Sequence, residues 1–468
     1  MLFNDAEANA APEQPEPTTQ TITYTKRKFV GQRQLNLEGL PVKEIDYPLS
    51  EEEQICPQCC GALHHMGEDV SEEIEIIPGS IILVRHRRFK YACRHCQNHE
   101  IKTPIVTAAM PTTAFPNSLA SASAVAHIMS QKFVEGLPLY RQEASFLRMG
   151  FVLSRQTMAN WMIAGASWLE KMYVRLKFYL LLRAILHADE TTLQVLKEEG
   201  RAAQTESYLW LYRSGRDGPP IVLFEYQPTR AREHPLKFLT GFSGYLHVDG
   251  YQCYEKLPGI ILVGCWAHAR RKFVETVNLL PNPERKKGST YAHEGLAFCN
   301  ELFRIERDLV DLTPEERFAA RQERSKPVLE KFRVWLEAMD AMVLPKSKLG
   351  EAITYCLNQW SKLQGFLLDG RLELDNNRSE RSIKPFVLGR KNWLFANTPR
   401  GAKSSAIIYS IVETAKENGL DPFTYLIYLF EQLPNINLKD TEALDLLLPW
   451  ADPVQAKCRV PSKPRRPA

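Results

Sequence analysis

Five short apolar runs between residues 184 and 268 constrain the fold of this chain more than any other feature of its sequence. They cover residues 184–189, 208–212, 220–226, 244–249 and 259–268. A helical segment around 232–242 separates the third run from the fourth, and turn-forming residues separate the others. Strands combined with helices in this way predict an α/β fold with a mixed sheet.

The length of 468 residues exceeds what one hydrophobic core usually supports, so we expect a multidomain protein. Residues 1–20 are acidic, proline-rich and poor in large apolar side chains, which predicts disorder. The predicted parts are a disordered or connecting N-terminus (1–45), a small β-rich domain (46–108), a helical region (109–176), the α/β core (177–412), a helical insertion within that core (about 277–365), and a C-terminal helical module with a basic tail (413–468).

The net charge of +4 is too small to identify a partner, but lysine and arginine concentrate in 265–273, in 381–403 and in the tail. There is no signal segment and no apolar run long enough to cross a bilayer. We therefore expect a cytoplasmic protein without membrane contact.

Four of the ten cysteines form two CxxC pairs, Cys56 with Cys59 and Cys93 with Cys96. Four thiolates from two tight turns suit a tetrahedral, structural Zn²⁺ site, and a reducing compartment favours metal over disulfide. Reduced cysteines without metal are the alternative. Nearby substitute ligands are Cys60, His64, His65, His95 and His99.

Residues 137–165 predict two helices joined by a short turn, with Ser154 as the cap of the second. The second helix would place Met158, Trp161 and Met162 on an apolar face. Its polar face carries Arg155, Gln156, Thr157 and Asn160. This is the pattern of a helix-turn-helix-like DNA-binding element, although an ordinary helical hairpin also exposes a polar face.

Asp189 and Asp249 end the first and the fourth apolar runs. These strands are neighbours if the sheet order is third, second, first, fourth, fifth, and the two carboxylates would then converge. Converging carboxylates predict a site for Mg²⁺ or Mn²⁺. The alternative is that each aspartate only forms the turn after its strand.

Glu380 is the candidate third carboxylate, and it lies among the cations Arg378, Arg381, Lys384, Arg390 and Lys391. A third carboxylate would complete a two-metal site, and the cations would hold DNA phosphates. Asp375 or Asn376 would cap the helix and leave Asn377 one turn before Glu380. Glu190, Glu373 and Asp375 are competing carboxylates, and a solvated, salt-bridged helix face is the alternative reading of the segment.

Three motifs of this chain resemble the transposases of the insertion sequence 66 family. They are "HADETTLQVL", "YLHVDGYQCYEKLPGIILVGCWAHARRKFVE" and "DNNRSERSIKPFVLGRKNWLFANTPRGAKSS". The resemblance covers about residues 20–455 and implies a DDE-type, RNase H-like core with Asp189, Asp249 and Glu380 as its triad. Cys265 and His268 match a CxxH signature after the second aspartate, where we favour a supporting role for His268.

The resemblance implies a nucleoid-associated bacterial transposase that acts on double-stranded DNA, namely terminal inverted repeats and a target. It also implies a homo-oligomer in a synaptic complex, and accessory proteins of the same element are further candidate partners. Family members usually begin with a long coiled coil, so either this start is internal or the gene copy is truncated. The alternatives are a structure-selective nuclease and a truncated protein that binds element ends without cutting them.

Overall fold

The computed structural model describes residues 79–87, 89–92, 105–107 and 109–461, all within one of the two units into which the chain divides, Pro78–Pro461. The four predicted zinc ligands and the predicted N-terminal connector lie outside the described residues. Two short strands, β1 (Lys90–Ala92) and β2 (Ile105–Thr107), pair antiparallel, as expected of a β-rich segment. Residues 79–87, predicted to be strand-like, have no regular structure.

Three helices follow: α1 (Ala122–Phe133), α2 (Leu139–Arg148) and α3 (Arg155–Leu181). The predicted cap is confirmed, because the Ser154 hydroxyl accepts a hydrogen bond from the backbone N–H of Thr157 (3.1 Å). The second helix of the predicted pair, α3, is much longer than the pattern of 137–165 indicated. Apolar side chains at three- and four-residue spacing continue to its end, and this stripe buries it against the rest of the unit.

The five apolar runs form one mixed sheet. Its strands are β3 (Ile185–Gln194), β4 (Glu206–Ser214), β5 (Val222–Gln227), β6 (Gly244–Val248) and β7 (Ile260–Gly264). The helix α4 (Glu233–Phe238) lies between β5 and β6 in the sequence. The order β5-β4-β3-β6-β7 is the one under which Asp189 and Asp249 were expected to converge. β4 lies antiparallel to both β3 and β5, whereas β3, β6 and β7 are parallel.

Two strand predictions were wrong at their ends. β3 does not end at Asp189 but continues through polar residues to Gln194, because its backbone stays paired with β4 as far as Glu206. The fifth run predicted a strand up to residue 268, but β7 ends at Gly264. The apolar residues that follow begin a helix, α5 (Trp266–Leu279).

The predicted insertion is helical and holds a second hydrophobic core. Its helices are α6 (Asn282–Lys287), α7 (Tyr291–Asp308), α8 (Pro314–Ala320), α9 (Lys326–Asp340), α10 (Lys348–Asn358) and α11 (Trp360–Leu363). The backbone N–H of Trp266 donates to the carbonyl of Leu374 (3.1 Å), so the chain returns after the insertion to the start of α5. The insertion therefore leaves and re-enters the sheet domain at neighbouring points.

The last helices are α12 (Asn377–Trp393), α13 (Pro399–Glu417), α14 (Pro422–Gln432), α15 (Thr441–Asp445) and α16 (Asp452–Cys458). α13 covers the edge strand β5, where Ser410 and Thr414 accept hydrogen bonds from the N–H groups of Phe224 (2.8 Å) and Val222 (3.0 Å). These side chains satisfy backbone donors that an open sheet edge would leave free.

The largest hydrophobic core joins the sheet to α1, α3, α13 and α14. Two of the expected domain limits, after residues 176 and 412, lie inside the helices α3 and α13. Within the part of the chain that the structure describes, every helix is too short or too polar to cross a lipid bilayer.

Candidate active site

Asp189 and Asp249 occupy equivalent positions on the neighbouring parallel strands β3 and β6. The register pairs His187 with His247, and each aspartate follows its histidine by two residues. Because side chains alternate between the two faces of a sheet, the histidines and aspartates share one face. Asp249 directly follows its strand, whereas Asp189 lies in the middle of β3, just beyond its parallel pairing with β6.

The carboxyl group of Asp189 is partly buried and accepts a hydrogen bond from the backbone N–H of Glu190 (2.8 Å). Burial, reinforced by the charges of Glu190, Asp249 and Glu380, raises the pKa of Asp189 to about 8. Asp249 and Glu380 are therefore close enough to Asp189 for their charges to act on it.

The turn at Asp249 is supported by the helical insertion. Asp249 Oδ1 accepts from the N–H of Tyr251 (3.0 Å), and the Tyr355 hydroxyl in α10 donates to the carbonyl of Asp249 (2.9 Å). Gly250 has a φ of +106°, which favours glycine, and a Cβ there would lie 3.1 Å from Gln359. The insertion thus packs closely against the backbone that carries this carboxylate.

Glu380 lies in the first turn of α12 and its side chain is 34% exposed. Its Oε1 lies 3.4 Å from Arg271 Nη2 and 3.8 Å from His268 Nε2, and both of these residues belong to α5. Burial, together with the charge of Arg271, lowers the pKa of His268 and favours a neutral ring. Glu380 therefore has only loose contacts within the described residues.

Two of the competing carboxylates are held by arginines. Glu190 accepts from Arg230 Nε (2.8 Å) and from the Tyr254 hydroxyl (2.6 Å). Glu373 Oε1 accepts from Arg216 Nε (2.7 Å) and from Arg378 Nε (2.9 Å) and Nη2 (2.7 Å). Burial alone would raise the pKa of Glu373, but these arginines outweigh it and hold that pKa at about 2. Both groups already have their charge partners.

Asp375, the third competitor, shapes the start of α12. Its Oδ1 accepts from the backbone N–H of Asn377 (3.0 Å), and its Oδ2 accepts from the side-chain Nδ2 of the same residue (2.7 Å). Asn376 is the residue before the helix, but its side chain makes no capping hydrogen bond to the helix. Asn377 therefore lies one turn before Glu380, as expected, with its side chain held by Asp375.

Asn376 instead connects α12 to the strand of Asp189, a role that the sequence did not indicate. Its Oδ1 accepts from His187 Nδ1 (2.9 Å), and its Nδ2 donates to the carbonyl of Ala188 (2.9 Å). Its backbone N–H points to Cys265 Sγ (3.2 Å), and burial raises the pKa of that thiol to about 12. The side chain is 1% exposed, so these bonds fix the helix start against β3.

His187 and His247 stack behind the aspartates with ring centroids 4.3 Å apart and planes 9° from parallel. Both are fully buried, and burial lowers the pKa of His187 to about 4 and lowers that of His247 as well. Two uncharged rings can stack where two charged ones would repel. The repeated pattern His-x-Asp, at 187–189 and 247–249, was a sequence signal for this arrangement.

Arg213 in β4 binds the first turns of α12. It is 1% exposed and donates from Nη1 to the carbonyl of Arg378 (3.3 Å) and to Ser382 Oγ, and from Nη2 to Glu417 Oε2 (3.2 Å). The register pairs Arg213 with His187, so it lies on the same sheet face as the aspartates. It joins α12 and α13 to the centre of the sheet.

The cations of α12 have different surroundings. Arg381, Lys384 and Lys391 are exposed, and the first two line a cavity of about 340 Å³ between α12 and the end of α1. Arg390 instead donates to the carbonyl and the hydroxyl of Thr192 in β3 (3.0 Å to Oγ1). Arg390 thus ties the second half of α12 to the strand that carries Asp189.

The predicted DNA-reading face of α3 is exposed at Arg155, Gln156 and Asn160, whereas Thr157 is half-buried beside the cap. Gln156 Nε2 donates to Asn160 Oδ1 (3.2 Å). The guanidinium of Arg155 has one weak ion pair among the described residues, because its Nε lies 4.0 Å from Glu143 Oε2. The polar groups of this face remain accessible to solvent.

Hard divalent cations prefer carboxylate oxygens, and the mutual repulsion of these carboxylates is what such a cation would offset. Burial is the main cause of the raised pKa of Asp189, and the charges of Asp249 and Glu380 add to it. Within the described ranges, no three His, Cys, Asp or Glu side chains are gathered closely enough to hold a metal ion as they stand. The donor chemistry of Asp189, Asp249 and Glu380 fits Mg²⁺ or Mn²⁺.

Comparisons with known proteins agree with the motifs. A family described as "Transposase IS66 family" matches residues 117–404. A "zinc-finger binding domain of transposase IS66" matches residues 53–97, which include all four cysteines of the CxxC pairs, and an "IS66 C-terminal element" matches residues 410–450.

Two relatives come from Sinorhizobium fredii (strain NBRC 101917 / NGR234). Uncharacterized protein y4jD is 32% identical over 452 residues, which is 94% of this chain and 85% of the relative. Uncharacterized protein y4hP is 34% identical over 411 residues, covering 84% of this chain and 72% of the relative.

Proposed function

Because this chain belongs to the IS66 family of transposases, we propose that it cuts DNA at the ends of an insertion sequence and joins those ends to target DNA. One observation carries the proposal. Asp189 and Asp249 share a sheet face with the start of α12, and the charge of Glu380 in that helix acts on Asp189. Family membership supports a transposase, and this geometry supports the three carboxylates as its catalytic residues.

We further propose that the sheet domain is of the RNase H-like type. The support is the strand order with an antiparallel half, β5-β4-β3, and a parallel half, β3-β6-β7. In this arrangement the parallel pair β3 and β6 carries two of the three carboxylates. The third arrives on a helix that follows the insertion.

The carboxylates of Asp189, Asp249 and Glu380 would hold divalent magnesium or manganese. When bound, such ions supply a nucleophilic oxygen and stabilise the oxygen that leaves the phosphorus. In the first reaction, water adds across the phosphodiester bond at the element end and leaves a free 3′-hydroxyl and a 5′-phosphate. In the second, that 3′-hydroxyl attacks a target phosphodiester and displaces its 3′-oxygen.

Other residues of the chain would position Glu380 and neutralise the charge of the DNA phosphates. Asn376 and Arg213 hold the start of α12 on the sheet and so set where Glu380 lies relative to Asp189. The exposed Arg381, Lys384 and Lys391 would contact backbone phosphates, which gives binding a steep dependence on salt.

Recognition of the element end is proposed for two other parts of the chain. The exposed Arg155, Gln156 and Asn160 at the start of α3 present donors and acceptors of the kind that read base edges.

The family's zinc-finger domain covers residues 53–97, and we propose Cys56, Cys59, Cys93 and Cys96 as ligands of a structural Zn²⁺. Metal analysis should find zinc in the purified chain, and a Cys56→Ser/Cys59→Ser variant should lose it.

The proposed function is tested by cleavage of a labelled duplex that carries the inverted repeats flanking the gene, with Mg²⁺ or Mn²⁺ present. Glu380→Gln should reduce cleavage by about a thousandfold or more while DNA binding persists. Glu337→Gln is the matched control, because its carboxylate is exposed on α9 and Arg333 is its one ion-pair partner among the described residues.

Each result has a distinct meaning. Equal cleavage by the wild type and Glu380→Gln would remove Glu380 from the site. Cleavage without joining to a target plasmid would indicate a nuclease. Binding without cleavage by the wild type would indicate a protein that only occupies element ends.

A further inference from the structure

A second cationic surface lies beside the proposed active site and is separate from the cations of α12. It is a cleft of about 590 Å³ between α5 and the insertion helix α7, and it reaches Asn377 at the start of α12. Its α5 wall is one helix face, since the lining residues 267, 270, 271 and 274 follow three- and four-residue spacing. The cleft is therefore built jointly by the sheet domain and the insertion.

Three arginines line this cleft, Arg270, Arg271 and Arg307, and no described Asp or Glu does. All three are exposed. Arg270 Nε donates to the neutral Asn300 side chain (2.7 Å), and Arg307 forms no ion pair with any described residue. Arg271 has only the contact of 3.4 Å with Glu380. The cleft thus keeps a positive charge that an anionic ligand would neutralise.

The cleft also has apolar lining residues beside the polar Asn300 and Asn377. Val274 and the half-buried Phe303 lie among the arginines. A groove that combines cations with an aromatic side chain is typical of sites for single-stranded nucleic acid, in which phosphates pair with the cations and bases or sugars pack on the ring. The volume matches a small-ligand site and suits a few nucleotides of one strand rather than a duplex.

The cleft lies next to Glu380, one of the three proposed catalytic carboxylates. Arg271 touches both the cleft and Glu380, and Asn377 lies one helical turn before Glu380. A strand lying in the cleft would therefore continue to the proposed site of phosphodiester cleavage.

We propose that this cleft binds the sugar-phosphate backbone of a single DNA strand next to the phosphodiester that reacts. The proposal rests on the proposed function, since it assigns one part of the DNA substrate to a particular surface. It gives the helical insertion a direct contact with DNA in addition to its support of the Asp249 turn.

The test measures binding without cleavage. The full chain, with its structural zinc retained and without added Mg²⁺ or Mn²⁺, is titrated against a fluorescent oligothymidylate of about twelve nucleotides and, separately, against a random-sequence duplex of the same length. The variant is Arg270→Gln/Arg307→Gln, which leaves Arg271 and the three carboxylates unchanged. The control is Lys286→Gln/Lys287→Gln, which removes the same charge from exposed residues of α6 outside the cleft.

The variant should bind the single strand about tenfold more weakly, and its salt dependence should fall by about 1.4 in log K against log salt, because two phosphate contacts are lost. Duplex binding should change by less than about twofold, and the control should behave like the wild type.

Three outcomes would overturn the proposal: no single-strand binding by the wild type, equal losses in variant and control, or an equal loss for the duplex. Since no catalytic metal is present, any of them leaves the cleavage test of Glu380 to judge the proposed function independently.

Discussion

The two faces of β3 hold their carboxylates in different ways. On one face, Glu190 is bound by Arg230 and by the Tyr254 hydroxyl. On the other, the preceding residue, Asp189, accepts a hydrogen bond from one described group, the backbone N–H of Glu190, and faces the charges of two further carboxylates. Burial raises the pKa of both groups, but only that of Glu190 is lowered in part by bonds to an arginine and a tyrosine, and we propose that Asp189 is left for a ligand.

The same contrast separates Glu373 from Glu380 within one short segment. Glu373 is held by two arginines at a pKa of about 2, whereas Glu380 has a 3.4 Å contact with one exposed arginine. Proximity to the site thus does not identify the catalytic carboxylate. We propose that the surroundings of each group do, and substitutions at five positions test that proposal.

The largest effect is expected at Asp189. Asp189→Asn should lower cleavage by about a thousandfold or more, because a neutral amide is a poor ligand for a hard cation. Without metal the variant should be more stable than the wild type above pH 8. An acid with a raised pKa weakens the folded state progressively as the pH rises from 3.8 to about 8. Cleavage rates and urea unfolding at pH 5 and pH 9 measure both effects.

Glu190→Gln is the control on the opposite face. It should retain cleavage within about tenfold but lose about 1–3 kcal/mol of stability, because Arg230 loses its charged partner. If it lost cleavage as completely as Asp189→Asn, the contrast between the two faces of β3 would be wrong.

Glu373→Gln should cost about 3 kcal/mol at pH 7, since it leaves Arg378 and Arg216 without a carboxylate. A lowered pKa stabilises the folded state above pH 4.5, and that stability is lost as the pH falls to about 2. Urea unfolding between pH 7 and pH 3 should therefore show a weaker acid dependence in the variant. An unchanged pH profile would mean that the arginines do not hold Glu373 as described.

Asn376→Ala should cost about 2 kcal/mol, because the buried His187 Nδ1 and the carbonyl of Ala188 both lose their partner. Cleavage per folded molecule should also fall, since the start of α12 is released from β3. Asn376→Asp serves as the comparison, because it keeps the acceptor for His187 but not the donor for Ala188. Full activity in Asn376→Ala would show that Glu380 is positioned by other contacts.

The smallest effect on stability is expected at Arg271, whose contact with Glu380 is long and exposed. Arg271→Gln should change the free energy of unfolding by less than about 0.5 kcal/mol. Thermal unfolding at low and high salt provides the measurement. A loss of more than about 2 kcal/mol would place Glu380 among the paired, structural carboxylates.

The strands could be predicted from the sequence because each is an apolar run bounded by turn residues, whereas their order could only be assumed. The end of β3 could not be predicted, since Thr191 and Thr192 are polar and their place in the sheet depends on pairing with β4. In the same way, Trp266 continues an apolar run and yet begins a helix. Local composition identifies a buried segment more readily than it distinguishes the type of backbone structure.

The candidate carboxylates were found in the sequence, but the residues that position them were not. Asn376 bonds to residues almost two hundred positions earlier, and Arg213 reaches a helix that begins after the insertion. Contacts between residues so far apart in the chain produce no periodic pattern in the sequence around either residue. His187 and His247 are the exception, because their repeated spacing before an aspartate is visible in the sequence.

The insertion between Asp249 and Glu380 has a consequence for synthesis of the protein. A ribosome translates the two aspartates first and must then complete the entire insertion before it adds Glu380, a delay of roughly ten seconds. The hydrogen bond from Trp266 to Leu374 can form only after that delay. A nascent or prematurely terminated chain therefore carries the sheet carboxylates without the third one, and the proposed cleavage of DNA would start only after translation has passed the insertion.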